Sequence, residues 1–178
     1  MNAKEAIKAQ FMKEYAKRDF ALMNVKSLCA ATPVARTTFY SYFNNTDDVR
    51  REIEDDIIRE LEAVTMSVSA GSLPDMDFAR FMDAVEAYLK ERWSDIRAFL
   101  VIQPNLRFTR KWKDLIKLHF RKRYPEKKQS GTYDAVAEIA ASAMLNAYAY
   151  WMEHPDTVST EEIKPLIHQT LNALVTLL

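Results

Sequence analysis

The stretch of residues 24–48 constrains the fold of this chain more than any other part. Asn24 is a suitable helix N-cap, because its side-chain oxygen can accept a hydrogen bond from an unpaired N–H of the first turn. Val25 and Leu28 follow with the spacing of one apolar helix face. Pro33 cannot continue that helix, since it lacks an N–H and its ring clashes with the preceding turn. The pattern therefore predicts a short helix that ends at a sharp turn.

A second short helix is predicted directly after this turn, because Phe39 and Phe43 lie four residues apart on one helix face. We expect Val34 to be buried at the corner. The other face carries hydrogen-bonding side chains and no acidic residue: Arg36, Thr37, Thr38, Tyr40, Ser41 and Tyr42. A helix this short is not stable by itself, and its polar, aromatic face suggests a partner. Two such helices are typical of a helix-turn-helix, whose second helix enters the major groove of DNA.

The complete run V-x-x-L-C-x-x-x-P-V-A-R-T-T-F-Y-S-Y-F-x-N-T-D-D-V resembles the DNA-binding signature of TetR-type (TetR/AcrR-like) transcriptional regulators. The match covers about the first third of the chain, and the rest resembles this family only in size and helical content. The chain departs from the family pattern at Pro33, often glycine, at Ala35, often a small polar residue, and at Thr46, often lysine. The resemblance implies a homodimeric regulator with a small-molecule pocket in its C-terminal region.

Position within this motif assigns two kinds of DNA contact. Base-edge contacts are expected from Arg36, Thr37, Thr38 and Tyr42. Arginine can pair bidentately with guanine, and threonine methyl groups can pack on thymine. Phosphate contacts are expected from Asn24, Lys26, Ser27, Tyr40 and Asn45, and these orient the protein without specifying a sequence. Thr46 completes the predicted DNA-binding set, although threonine lacks the charge of the family's lysine.

Composition predicts an almost wholly α-helical chain, because only two glycines and six prolines interrupt a sequence rich in helix-forming residues. We expect a helix-turn-helix DNA-binding domain over residues 1–46, a connecting fourth helix over 47–66, and a helical effector-binding and dimerisation domain over 67–178. The net charge is zero, but residues 1–46 carry seven Lys and Arg against three Asp and Glu. This distribution concentrates the attraction for phosphate on the N-terminal region.

Local signals set the N-terminal boundaries. A first helix is predicted over about residues 3–18, and Phe20 and Leu22 should hold the following loop against the core. Lys4 and Lys8 of this first helix either approach the DNA backbone or form a solvated face. Thr46 is expected to cap the connecting helix, which would link the two domains mechanically.

Similar signals apply further along the chain. Residues 67–77 form the predicted interdomain linker. A short helix over residues 96–102 should stop before Pro104, which disfavours helix in the residue preceding it. The last helix should open with a capping box formed by Ser159 and Glu162, and Pro165 predicts a kink or a later start.

The C-terminal region contains many aromatic residues at helical spacing, which more often form a core than a pocket. The family resemblance nevertheless implies a pocket here, and we assign to it Tyr88, Trp93, Phe99, Phe108, Trp112, His119, Tyr148 and Trp151. Residues 103–128 carry ten Lys and Arg against two Asp and Glu, which fits an anionic or amphipathic effector. This basic segment is either a solvated face or a second nucleic-acid site.

The last two helices carry surplus apolar surface, which predicts a homodimer built as a four-helix bundle. The alternative is that these helices only close the core of the monomer.

Catalysis has no support in the sequence. His119, His154 and His168 are scattered without metal-ligand spacing, and no glycine-rich phosphate loop is present. We therefore expect no enzyme activity, no cofactor and no metal. Charged residues interrupt the N-terminal run, and no segment approaches the ~20 apolar residues of a membrane span, so we expect a cytoplasmic protein.

The predicted function is sequence-specific regulation of transcription, as a repressor that a small-molecule effector releases from a near-palindromic operator. The alternative is a helical dimer that binds a ligand or a protein partner without reading DNA. Thr46 and the zero net charge favour this alternative.

Overall fold

A computed structural model describes residues 2–68, 77–127 and 131–178. Within these ranges the chain forms nine α-helices and no β-strand, which confirms the predicted all-α class. The helices are α1 (Ala3–Tyr15), α2 (Val25–Ala30), α3 (Arg36–Tyr40), α4 (Thr46–Val68), α5 (Phe78–Glu91), α6 (Trp93–Arg97), α7 (Leu106–Arg123), α8 (Tyr133–Glu153) and α9 (Thr160–Val175). None of the helices in these ranges is long and apolar enough to cross a membrane. Residues 69–76 of the predicted linker lie outside the described part of the chain.

Helices α1–α4 pack around one small group of buried side chains. α1 contacts α2, α3 and α4, and Ile7, Phe11, Phe39 and Val49 are fully buried between them. Large apolar side chains at these positions remove enough surface from water to hold helices as short as α2 and α3 in place.

The C-terminal helices form a second packed layer that shares α4 with the first. α4 contacts α5 and α7, α8 lies between α7 and α9, and α5 also reaches α9. The core is continuous between the two layers, since the ring of Tyr15 in α1 lies 5.1 Å from the ring of Phe99. The division at residues 46 and 66 stays a prediction, and α4 itself extends over both boundaries.

Two predicted details of the N-terminal region are wrong. α1 ends at Tyr15 rather than at Arg18, because the carbonyls of both residues bond the Gln103 side chain and leave the helical pattern. Leu22 is 67% exposed, so it does not hold the loop, whereas Phe20 packs against the core.

The caps of α4 and α9 test two further predictions. Asn45, not Thr46, caps α4, because its Oδ1 accepts the N–H of Asp48 at 2.9 Å. The capping box at Ser159 is present, and α9 starts at Thr160 with Pro165 inside it, so the late start is wrong. Reciprocal capping by Ser159 stabilises the first turn, which offsets the N–H missing at the proline.

Candidate nucleic-acid interface and effector cavity

The turn between α2 and α3 is fixed by local hydrogen bonds and one apolar contact. Asn24 Oδ1 accepts the backbone N–H of Ser27 at 2.9 Å and so caps α2. At the other end of the helix, the hydroxyl of Thr32 donates to the carbonyl of Leu28 at 3.2 Å. Val34 is buried, as predicted, and this anchors the chain where it enters α3.

Helix α3 is held by its aromatic face and exposes the opposite one. Phe39 is fully buried, Phe43 is 3% exposed, and their ring centroids lie 5.8 Å apart. Seven of the predicted DNA-binding residues are exposed: Asn24, Lys26, Arg36, Thr37, Tyr40, Tyr42 and Asn45. The other three, Ser27, Thr38 and Thr46, are half-buried. Tyr42 lies in the turn after α3 rather than on the helix.

Four of these exposed side chains are unpaired within the described part of the chain. Arg36, Thr37, Tyr40 and Tyr42 make no side-chain hydrogen bond or ion pair with any other described residue. Their polar atoms on and beside α3 are therefore open to an external partner.

Other predicted contact residues have structural roles of their own. The hydroxyl of Ser27 donates to the Asn24 carbonyl at 3.0 Å and accepts from Arg18 at 2.9 Å. The side-chain oxygens of Asn24 and Asn45 are caps, so only their amide N–H groups are directed elsewhere. Ser27 therefore contributes mainly to the position of α2.

Lys4 and Lys8 of α1 are directed towards α4. Lys4 pairs with Glu52 at 2.8 Å and Lys8 with Asp56 at 2.6 Å. These ion pairs use the charges that could have approached the DNA backbone and neutralise part of the acidic surface of α4.

A buried carboxylate joins α4 to the start of α7. Glu54 is fully buried and accepts hydrogen bonds from Asn105 at 2.7 Å, from Arg107 at 2.8 Å and from Lys111 at 3.0 Å. Arg107 also bonds Asp47, and this contact holds the pKa of the Asp47 carboxyl well below its usual range. A buried charge with several partners fixes the relative positions of both helices.

Three further basic side chains of this segment are also paired within the protein. Lys113 and Lys117 both reach Glu138 of α8, and Arg121 contacts Asp134 at 3.0 Å. These pairs favour the interpretation of residues 103–128 as a packed and solvated face over a second nucleic-acid site.

Gln103 connects the N-terminal helices to the C-terminal layer, and sequence reasoning missed it. A π-helical turn spans Ala98–Ile102. It ends where the Gln103 N–H donates a hydrogen bond to the Ala98 carbonyl at 2.9 Å. Gln103 Oε1 accepts the N–H of Phe20 at 3.0 Å, while its Nε2 donates to the carbonyls of Arg18, at 2.7 Å, and Tyr15. The only signal was a polar residue standing between an apolar run and a proline.

A cavity of about 80 Å³ lies among α4, α5, α7, α8 and α9. Three of the predicted pocket residues line it: Trp112, His119 and Tyr148. Five others lie outside its lining: Tyr88, Trp93, Phe99, Phe108 and Trp151. Sequence analysis did not single out Phe78, Phe81 and Tyr124, which do line it.

The five residues outside the lining have packing partners instead. Tyr88 donates its hydroxyl to the Ile57 carbonyl at 2.9 Å, and burial raises the pKa of this phenol. The rings of Trp93 and Trp151 pack edge-to-face, with their centroids 4.8 Å apart. The ring centroids of Phe99 and Phe108 lie 5.1 Å apart. Helical spacing identified these residues as buried, but it does not distinguish packed rings from cavity walls.

His119 contributes a polar group to this apolar cavity. Its Nε2 lies 2.9 Å from the Thr65 hydroxyl of α4, and the Phe81 ring packs against the imidazole at 5.5 Å. Its Nδ1 is buried and has no hydrogen-bond partner among the described residues. Burial lowers the pKa of His119, which favours the neutral form of the imidazole.

Comparison with known proteins gives a result for fold alone. No family model and no curated protein matches the chain. One similar structure is that of a Syntrophomonas wolfei protein named as a TetR-family transcriptional regulator. It superposes with a TM-score of 0.72 at 12% identity, and the superposition covers 98% of this chain and 93% of that one. A TetR transcriptional regulator from Streptococcus agalactiae gives 0.65 at 16% identity, with 98% and 92% covered. A dihydroxyacetone kinase operon activator, DhaS, gives 0.59 at 16%, with 98% and 94% covered.

These likenesses extend over nearly the whole chain, beyond the first third that carries the sequence motif. The TetR-type fold that the sequence suggested is therefore confirmed for the C-terminal helices as well.

Proposed function

We propose that this protein is a sequence-specific DNA-binding regulator of transcription that acts as a homodimer in the cytoplasm, with no catalytic role. One observation carries the proposal: α3 exposes Arg36, Thr37 and Tyr40 beside a well-packed aromatic face, with no partner for their polar groups among the described residues. This is the arrangement that major-groove reading requires, because the donors must be directed to base edges while the backbone is held rigidly.

The dimer would form through α8 and α9. Ile139 and Tyr150 are 53% and 52% exposed on α8, about three helical turns apart and so on one face. Leu166 of α9 and Leu177 just beyond it are 58% and 68% exposed. Pairing these surfaces about a two-fold axis would bury them in a four-helix bundle and place two copies of α3 in successive major grooves, ~34 Å apart.

Effector binding would reach α3 by two routes. α4 lines the cavity through Leu61 and Thr65 and continues to the N-terminal helices. α7 lines it through Trp112 and His119, and Gln103 lies just before α7. A ligand that moves either helix would change the separation of the two copies of α3 and so lower operator affinity. This coupling is reciprocal, so operator DNA must weaken effector binding by the same factor.

We propose repression as the output, relieved by the effector. The name of DhaS shows that a protein of the same fold can be an operon activator. Either output would use the same coupling between the cavity and α3.

The test is selection of bound sequences from a random pool of duplexes, followed by a salt titration on the enriched sequence. The proposal predicts a near-palindrome whose affinity falls steeply with salt, since each neutralised phosphate adds about −0.9 to the slope of log K against log salt. A folded dimer that enriches no sequence would contradict it and favour the ligand- or partner-binding alternative.

A further inference from the structure

We propose that the cavity takes a single-ring aromatic molecule with a neutral hydrogen-bond donor, of which phenol is the simplest, and that this donor bonds Nδ1 of His119. The inference rests on the proposed function in treating the cavity as the effector site. It adds the chemical class of the effector, which the fold does not specify.

The size and lining of the cavity set the first limit. An apolar cavity of about 150 Å³ holds benzene, so a cavity of about 80 Å³ admits no more than one ring and needs small side-chain movements to do so. Met144 in the wall is flexible enough to allow them. Phe81, Trp112 and Phe120 offer ring faces and edges, which suit an aromatic ligand.

The hydrogen bonds of Thr65 determine which nitrogen of His119 carries the proton. The Thr65 hydroxyl lies 2.9 Å from the carbonyls of Leu61 and Glu62, and it donates its single hydrogen to them. With this hydrogen on a carbonyl, the hydroxyl accepts from His119, and this arrangement assigns the imidazole proton to Nε2. Nδ1 is left as a lone-pair acceptor.

A buried acceptor without a partner is costly, and a ligand that brings a donor removes this cost. A phenol hydroxyl or an aromatic N–H would donate a hydrogen bond to Nδ1. A carboxylate would instead place its lone pairs against that of Nδ1. A site built for a donor discriminates strongly against an analogue that lacks it, because the acceptor is then left unpaired.

The competing recognition element is Arg123, which also lines the cavity. Its guanidinium carbon lies 5.6 Å from the centroid of the Tyr124 ring, and the residue is half-buried. An effector held mainly by this charge would be an anion, and the experiment distinguishes that case.

The experiment measures binding of phenol, anisole, toluene and benzoate to the full-length protein by calorimetry, without DNA. Anisole retains the ring and the oxygen of phenol but cannot donate. We expect phenol to bind about tenfold or more tightly than anisole, and benzoate to bind less tightly than phenol. In the wild-type protein, the nitrogen NMR signals of His119 should show Nε2 protonated and should shift at Nδ1 when phenol binds.

His119→Phe keeps a ring beside Phe81 but removes the acceptor, so it should abolish the preference for phenol over anisole and leave toluene binding in place. His154→Phe is the matched control, because His154 follows α8 outside the cavity lining, and it should keep the preference.

Equal binding of phenol and anisole by the wild-type protein, a preference for benzoate, a protonated Nδ1, or no binding of any probe would each overturn the proposal. The two wild-type measurements decide the matter even if His119→Phe fails to fold. Failure here leaves DNA reading by α3 untouched, since no DNA is present, whereas failure of the selection leaves these binding results valid.

Discussion

Replacing Gln103 by alanine should loosen the attachment of the N-terminal helices to the C-terminal layer. The side chain makes three hydrogen bonds, from the Phe20 N–H and to the carbonyls of Tyr15 and Arg18. Each contributes about 1 kcal/mol, which gives an upper value of about 3 kcal/mol. Gln103 is half-buried, so water will replace part of this, and we expect a loss of about 1–3 kcal/mol in the free energy of unfolding.

Two assays separate a local effect from a general one. Urea unfolding gives the total loss, and amide hydrogen exchange reports on the Phe20 N–H, whose acceptor is removed. That amide should exchange at least about tenfold faster, while amides in α8 change only by the global loss of stability. Gln10→Ala is the matched control, since among the described residues its amide donates only to Glu14, at 3.3 Å within α1. Unchanged stability with unchanged protection at Phe20 would refute the proposed connection.

Three further predictions follow from buried and exposed groups. Glu54→Gln removes a fully buried charge that accepts hydrogen bonds from three side chains and should cost about 2–4 kcal/mol in urea unfolding, whereas the more exposed Glu52→Gln should cost under about 1 kcal/mol. Burial alone would raise the pKa of Glu86. Hydrogen bonds from Lys164, Lys90 and Thr160 outweigh this effect and bring the pKa down to about 2. Its contribution, up to about 3 kcal/mol, is therefore complete above pH 4.5 and is lost as the pH falls towards 2. Glu86→Gln should flatten unfolding free energy against pH in this window, and an unaltered slope would contradict the assignment. Ile139→Asp should yield a folded monomer in sedimentation, whereas an intact dimer would show that α8 is not the interface.

The features that sequence predicted well are those encoded locally. The cap at Asn24, the break at Pro33 and the spacing of Phe39 and Phe43 lie within a few turns, so they define the helix-turn-helix without long-range information. α8 is encoded locally as well, because an unbroken helical pattern lies between Gly131 before it and His154 after it.

The features that sequence missed depend on contacts between distant residues. The Tyr15 hydroxyl donates a hydrogen bond to the carbonyl of Gln103, which lies 88 residues later in the sequence. No periodic pattern indicates such a pair. Lys8 was open to two interpretations until its partner Asp56 was located on another helix. Likewise, spacing showed that Trp112 and Trp151 are buried, but only the packing of α4, α5, α7, α8 and α9 determines which of them lines the cavity.

The central claim is that α3 reads base edges, and parallel selections from one random duplex pool test it most directly. The wild-type protein should enrich two related half-sites one helical turn apart. Arg36→Ala should lose preference at one symmetric pair of positions, with a cost of about 1–3 kcal/mol per contact, while Lys26→Ala should weaken binding to all sequences without changing the preferred one. If Arg36→Ala selects the same sequence with the same affinity as the wild-type protein, α3 does not read DNA in the way described.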